Sequence, residues 1–236
     1  IAAMVVRDSN GKEFLARAIG PSLIDYGVTQ PLADPLLRLV NASGTEVGRN
    51  LCWTTCADPA QLVALATAVG AFPLSTTKAD SAAAPCLAAG AYSMLVSSAT
   101  TQTGAALAEL YETGSTGRAV NFSARGLAGT GEGALIGGFV VGGNQPKRVL
   151  IRGVGPTLKS YGVSQALADP VLTLYHDQVV IATNDDWGLN DNAGTIGSTA
   201  QAIGAFALGA GSADAALLIT LPPGVYSVVV SAKGTA

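Results

Sequence analysis

The chain has 236 residues, of which 49% are hydrophobic and only 12% charged, and its formal net charge is −3. Soluble domains usually carry roughly 25% charged residues, so this surface must be covered largely by small polar residues and backbone. The absence of a basic cluster argues against a nucleic-acid partner. No apolar run approaches the length that crosses a bilayer, so we expect no membrane span.

The chain contains the same segment twice. Residues 17–39 return 135 positions later as residues 152–174, with 14 identical pairs among 23. Residues 1–6 likewise match residues 136–141, and the chain begins at Ile1 inside a strand-like run, which is typical of a processed or partial product. The repeat predicts two tandem modules, residues 1–135 and residues 136–236.

Short Val, Leu and Ile runs separated by Gly and Pro predict an all-β fold of two β-sandwiches. Residues 58–70 are the clearest helix, because Asp58 can cap it and Pro59 suits its first turn. We expect a weaker helix at 195–204, and a closing hairpin of residues 215–221 and 225–231 around Pro222-Pro-Gly224. The predicted strands of the first copy are residues 14–19, 36–40 and 46–48. Their counterparts in the second copy are residues 149–154, 171–175 and 179–183.

The two copies do not end alike. After Leu39 the spacing of the two copies becomes 134, so Ala236 aligns with Gln102 and residues 103–135 have no counterpart in the second copy. Residues 104–111 alternate as a strand does and are predicted to complete the first sandwich. The second module is therefore predicted to lack its last strand.

All three cysteines, Cys52, Cys56 and Cys86, lie in the first copy. A zinc site would need four soft ligands, which this set does not supply. The pattern predicts a disulfide, either Cys52–Cys56 or one of the two with Cys86, and hence an oxidising compartment. The second copy has no cysteine, so the fold does not require this bridge.

Two charged residues recur among the repeated turn and core residues, as the pairs Arg17/Asp34 and Arg152/Asp169. One interpretation is a ligand-binding pair. The interpretation that we favour is an Arg–Asp bridge between a strand end and the next turn, with the guanidinium also bonding backbone carbonyls.

A loop of the second copy gathers oxygen ligands at Asn184, Asp185, Asp186 and Asp191, which suits a calcium ion. The alternative is an Asx turn leading into a buried tryptophan. Nucleophilic catalysis finds no support, since the single histidine, His176, has no recurring partner set. We therefore expect a protein that is not an enzyme, with calcium as its one possible cofactor.

The motif order from residue 152 to residue 226 resembles a module repeated in large secreted and surface proteins of environmental bacteria. The motifs are Arg-Gly-x-Gly-Pro-Thr-Leu, Ala-Asp-Pro-x-Leu-x-Leu, Asn-Asp-Asp-Trp, Gly-Ala-Phe and Leu-Pro-Pro-Gly-x-Tyr. The second half is also similar to pre-peptidase C-terminal type domains. The resemblance implies antiparallel jelly-roll-like β-sandwiches and an extracellular or cell-surface location, and it implies no catalysis.

These observations predict a structural subunit of an extracellular fibre or surface assembly, which polymerises head-to-tail through strand complementation. Its partners would be other copies of itself or neighbouring repeats of a longer chain. The alternative is a carbohydrate- or surface-binding accessory module that uses loops near Trp53 and Trp187. The residues expected to form the assembly contact are Ile1, Ala2, Ala3, Met4, Val5 and Val6 as the donor, and Val225, Tyr226, Val228 and Val230 along the gap.

Overall fold

The computed structural model describes residues 1–7, 11–113, 119–130 and 133–234. Within these ranges the protein is mostly β, with several antiparallel sheets and few helices, which agrees with the coarse part of the fold prediction. The chain forms two compact units, Ile1–Arg125 and Gly126–Ala236. None of the helices in the described ranges has the length and apolar character needed to cross a membrane.

The first unit contains two sheets. In chain order its elements are β1 (Ala2–Val6), β2 (Lys12–Ile19), a 3₁₀ helix (Pro21–Tyr26), β3 (Pro35–Asn41), β4 (Glu46–Asn50), a 3₁₀ helix (Trp53–Thr55), α1 (Pro59–Ala68), β5 (Ser81–Ala83), β6 (Cys86–Leu87), β7 (Gly90–Ser98), β8 (Leu107–Glu112) and β9 (Ala119–Ala124). One sheet has the order β4-β3-β7-β1-β9. In the other, β2 lies between β5 and β6 on one edge and β8 on the opposite edge.

The second unit repeats this order with fewer strands. Its elements are β10 (Leu135–Val141), β11 (Lys147–Gly153), a 3₁₀ helix (Pro156–Tyr161), β12 (Pro170–His176), β13 (Val179–Asn184), a 3₁₀ helix (Trp187–Leu189), α2 (Ala193–Ala202), β14 (Ala215–Leu221) and β15 (Gly224–Ala232). One sheet has the order β10-β15-β12-β13, and β11 pairs with β14 in the other.

The two sheets of each unit share an apolar core. In the first unit, Met4 and Leu39 of one sheet pack in one cluster with Phe14 of the other. In the second unit, Leu174 and Tyr226 belong to one cluster with Leu221. Along β2, every second side chain, namely that of Phe14, Ala16 and Ala18, belongs to the first of these clusters.

The helix predicted at residues 58–70 is confirmed as α1. Its cap is the expected one, because the Asp58 carboxylate accepts a hydrogen bond from the Gln61 N–H at 2.9 Å. The weaker second helix, α2, begins two residues before the predicted start. Asn192 at its N-cap makes no side-chain cap bond, which explains why the sequence marks this boundary less sharply.

The predicted closing hairpin is wrong. β14 pairs with β11, whereas β15 lies between β10 and β12, so the two strands belong to different sheets. The residues Pro222 and Pro223 carry the chain from one sheet to the other, and proline has no N–H with which to close a tight hairpin turn. The first unit does the same at the corresponding place, between β6 and β7.

Candidate functional site: the open strand edges of the second unit

The equivalent strands β2 and β11 differ in how many partners they have. In the first unit β8 runs antiparallel along the free edge of β2, in a register from Phe14–Glu112 to Ile19–Leu107. In the second unit, among the described residues, β11 pairs with β14 alone. We call the uncovered edge of β11 the open edge of the second unit.

The strand with the extra neighbour is more deeply buried along most of this edge, the exception being Gly153, which is buried like its counterpart Ala18. From Phe14 to Ile19, every side chain of β2 is at most 1% exposed. The β11 counterparts Val149, Leu150, Ile151 and Arg152 are all partly exposed. The two strands have similar apolar character, and the difference in burial coincides with the presence of β8 beside β2 and of no described strand at the equivalent edge of β11.

Strand β8 also supplies the partner of a buried cation. The Nε of Arg17 lies 3.0 Å from Oε2 of Glu109, and its Nη1 donates to the Phe72 carbonyl at 2.7 Å. The guanidinium carbon lies 4.4 Å from the centre of the Phe72 ring. The Tyr111 hydroxyl donates to Glu109 at 2.9 Å, and burial, followed by the nearby Glu109, raises the pKa of Tyr111 to about 12.

Arg152 keeps the same inner contacts without the carboxylate. Its Nη1 donates to the Phe206 carbonyl at 2.6 Å, and its guanidinium carbon lies 4.4 Å from the Phe206 ring centre. No carboxylate of the described ranges forms an ion pair with it. Burial lowers the pKa of Arg152, an effect that the charge of Asp214 opposes. A cation thus sits on the open edge in the orientation that Arg17 uses to meet Glu109.

A second edge of the second unit is also open. In the first unit β9 pairs with β1 on the side away from β7. The equivalent strand β10 pairs with β15 only, within the described residues. Two of its apolar side chains, Ile136 and Val140, are 67% and 68% exposed.

A buried carboxylate that the sequence patterns do not single out occurs in both units. Asp80 accepts hydrogen bonds from the backbone of Gly20 and Ser22 and from the Ser22 hydroxyl. Asp214 does the same for Gly155 and Thr157, and it also accepts from the Ser212 hydroxyl. Both carboxylates are fully buried. The two aspartates occupy equivalent positions in the repeat, and this recurrence is the sequence signal that could have identified them. They fix the corner at which the first 3₁₀ helix of each unit begins.

Glycine is required at that corner for space. A Cβ on Gly20 would lie 2.0 Å from the Leu32 carbonyl oxygen, and one on Gly155 would lie 2.2 Å from that of Leu167. The repeated Gly-Pro motif therefore lets the chain approach its own backbone closely. This is a packing role in both units.

The predicted Arg–Asp bridges are absent. Asp34 accepts hydrogen bonds from Ser98 and Thr100, and these bonds lower its pKa. Asp169 lies 3.5 Å from Lys233. The carbonyl half of the prediction is correct, because each guanidinium does donate to a backbone oxygen. The partner was misassigned because the carboxylate of Glu109 comes from β8, far away in the sequence.

The residues expected to form the assembly contact lie inside the sheets. Residues 1–6 lie in and beside β1, which pairs with β7 on one side and β9 on the other. Val225, Tyr226, Val228 and Val230 lie on β15, between β10 and β12. The structure thus differs from the prediction: β1 is an occupied strand, and β10 and β11 are the strands that lack, among the described residues, a neighbour present in the first unit.

The predicted disulfide is not formed. Cys52, Cys56 and Cys86 are all free, with Cys86 exposed. The loop between β4 and α1 is held instead by hydrogen bonds. Asn50 donates to the Cys52 carbonyl and accepts from the Ala82 N–H, and Trp53 N–H bonds the Asp80 carbonyl. The short spacing therefore does not indicate a bridge.

The described ranges contain no group of side chains that could hold the predicted calcium ion. The Asn184 amide bonds the Asp186 carbonyl, the Asn190 side chain and the Ala216 N–H. Asp185 lies 2.9 Å from Lys233, which lowers the pKa of the carboxylate. Asn184 thus has the same loop-fixing role as Asn50, while Asp186 and Asp191 do not join Asp185 in a cluster.

Comparison with family models, with curated proteins and with solved structures gave no match to this chain. The class to which the chain can be assigned is therefore the one that its own structure defines. It is a mostly β protein made of two related units, of which the second has open strand edges.

Proposed function

We propose that the protein is a structural, non-catalytic component of an extracellular bacterial fibre or surface assembly, built from two jelly-roll-like β-sandwiches. In this proposal, copies join head-to-tail because an edge of the second unit accepts a strand from a neighbouring module. The observation that carries the proposal is the open edge of β11, beside a first unit in which β8 covers the same edge.

An uncovered strand presents a row of backbone N–H and C=O groups that can pair with another chain. In the first unit this pairing is accompanied by near-complete burial of the six residues from Phe14 to Ile19. The same gain is available to β11 when a strand is added, because its apolar residues are already in place. A contact of this kind joins two different surfaces, so it generates an open chain of subunits.

The residues shared by the two units support a structural role. The repeated polar groups, Asp80/Asp214 and Asn50/Asn184, bond to backbone atoms of their own unit. The low charge of the surface suits close packing against neighbours. The extracellular location in this proposal comes from the family resemblance alone, since the cysteines form no disulfide.

The test is a self-complemented variant. Residues 103–113 are appended directly after Ala236, which keeps the repeat spacing because Ala236 aligns with Gln102. We expect the wild-type chain to form oligomers or filaments at high concentration, by light scattering and negative-stain electron microscopy. We expect the variant to be monomeric and to unfold at higher denaturant concentration.

The matched control appends the same eleven residues in scrambled order and should behave as the wild type. A wild-type chain that remains a monodisperse monomer at high concentration would overturn polymerisation. An appended strand that leaves both association and unfolding unchanged would overturn the role of the open edge.

A second candidate function is surface or carbohydrate binding, for which Trp53 is unsuited because it is buried, whereas Trp187 is partly exposed. Trp53 is only 5% exposed, and its indole N–H donates to the Ser75 carbonyl. An exposed aromatic pair recurs instead, as Tyr26–Phe72 and Tyr161–Phe206, with ring centres 4.9 and 4.8 Å apart. Quenching of tyrosine fluorescence by soluble oligosaccharides, lost in a Tyr26→Ala, Tyr161→Ala double variant, would support it. Unchanged fluorescence would exclude it.

A further inference from the structure

We infer that the open edge of the second unit selects an acidic strand, with a glutamate placed opposite Arg152 and a second acid three residues further on. This inference rests on the proposed function and names the chemistry of the strand that the edge accepts. The partner is an extended acidic segment with the chemistry of β8, Leu-Ala-Glu-Leu-Tyr-Glu, in a neighbouring module where that segment is not already paired, as β8 of this chain is with β2.

The first step is the position of the cation. Arg17 and Arg152 share their contacts to a phenylalanine carbonyl and ring, so the two guanidinium groups are held in the same way. In the first unit this leaves Nε toward β8, where Glu109 meets it at 3.0 Å. An incoming strand in the same register would place its third residue opposite Arg152.

The second step is a further charge pair along the same edge. Lys12 lies 3.7 Å from Glu112, the last residue of β8. Its counterpart at the start of β11 is Lys147, which is exposed. β11 therefore carries a cation at both equivalent positions, Lys147 and Arg152, five residues apart. In the first unit the equivalent Lys12 and Arg17 meet the two glutamates of β8.

The third step is the cost of a wrong partner. Arg152 is partly buried, and burial already lowers its pKa, so a neutral or basic residue opposite it would leave the cation further desolvated without compensation. A glutamate would form a charge-assisted pair in a setting that water screens poorly. The apolar residues beside it give affinity, and the charge gives register and choice of partner.

The experiment measures binding of a fluorescently labelled peptide with the sequence of residues 103–113 to the full-length chain, by anisotropy. We expect saturable binding, weakened by about tenfold or more in a Glu109→Gln peptide, because hydrogen bonds between charged groups are the strong ones. A Glu112→Gln peptide tests the second charge pair and should lose less than about threefold, since an ion pair with the exposed Lys147 contributes little. A scrambled peptide of the same composition is the matched control and should not bind.

The protein side is tested by charge reversal. An Arg152→Glu chain should bind the wild-type peptide poorly and should recover binding with a Glu109→Arg peptide. If the wild-type and Glu109→Gln peptides bind equally well, the acidic selection is wrong while strand complementation stands. If no peptide binds the full-length chain at all, strand complementation itself is overturned.

Discussion

The strands β2 and β11 are two versions of one sequence segment in two environments. β2 is buried from Phe14 to Ile19, where β8 covers it, whereas β11 is partly exposed from Val149 to Arg152, where no described strand covers it. Each strand is continuous with the same Gly-Pro corner and the same phenylalanine contact to its arginine. The comparison teaches that burial of this edge depends on the added strand rather than on the segment itself.

The corner beyond the strand shows the opposite behaviour. Asp80 and Asp214 make nearly the same hydrogen bonds, although one belongs to the covered unit and the other to the open unit. This part of the module is therefore complete without the extra strand. Substitutions at the edge should therefore destabilise the two units to different extents, whereas substitutions at the corner should destabilise them equally.

The largest expected difference is between Arg17→Ala and Arg152→Ala. Removing Arg17 leaves Glu109 buried without its cation, which costs about 3–5 kcal/mol of unfolding free energy. Removing Arg152 loses one hydrogen bond and a ring contact, which costs about 1 kcal/mol. The measurement is denaturant unfolding followed by tryptophan fluorescence, because Trp53 reports on the first unit and Trp187 on the second.

Trp187→Phe and Trp53→Phe backgrounds isolate the two signals and serve as controls. Equal losses in the two units would mean that the Glu109 contact adds nothing, and would contradict the comparison at its main point.

A smaller effect, equal in both units, is expected for Asp80→Ala and Asp214→Ala. Each change leaves several buried donors at the corner without an acceptor, which costs about 2–3 kcal/mol. Thermal unfolding of each variant in the matching single-tryptophan background checks this. A loss confined to the first unit would show that the corner also depends on β8.

A modest pH effect should be specific to the first unit. The pKa of Tyr111 is raised to about 12 in the folded protein from an ordinary value of 10.0. Its contribution to stability is therefore complete below pH 10 and is lost as the pH rises towards 12, because the unfolded chain releases the proton first. Comparing the unfolding free energy of Tyr111→Phe with that of the wild type from pH 8 to pH 12 tests this.

In the Tyr111→Phe variant, the loss of first-unit stability above pH 10 should be shallower than in the wild type. Identical slopes would show that Tyr111 does not contribute to this loss.

The smallest expected effect is that of a reductant. Because the three cysteines are free, dithiothreitol should leave the midpoint of unfolding unchanged in both units. Titration of the denatured, unreduced protein with a thiol reagent should count three thiols. A count of one would restore the disulfide that the sequence suggested.

The sequence predicted the local elements well and the long-range pairings poorly. α1 and the strands with clear period-two alternation were found because their signals lie within a few residues. The ion pair between Arg17 and Glu109 could not be predicted, because the two residues are far apart in the sequence and come together only when β8 pairs with β2. The hairpin of β14 and β15 failed for the same reason, since adjacency along the chain does not decide which sheet a strand joins.

The most direct test of the central claim is amide hydrogen exchange of β11 in the dilute monomer and in assembled material. We predict that residues 147–153 exchange faster than residues 12–19 in the monomer, and that they become comparably protected on assembly. The slow exchange of β2 in both states is the internal reference. The proposal that the edge of β11 accepts a strand would be contradicted by either of two results. One is protection of β11 that already equals that of β2 in the monomer, and the other is protection of β11 that does not change on assembly.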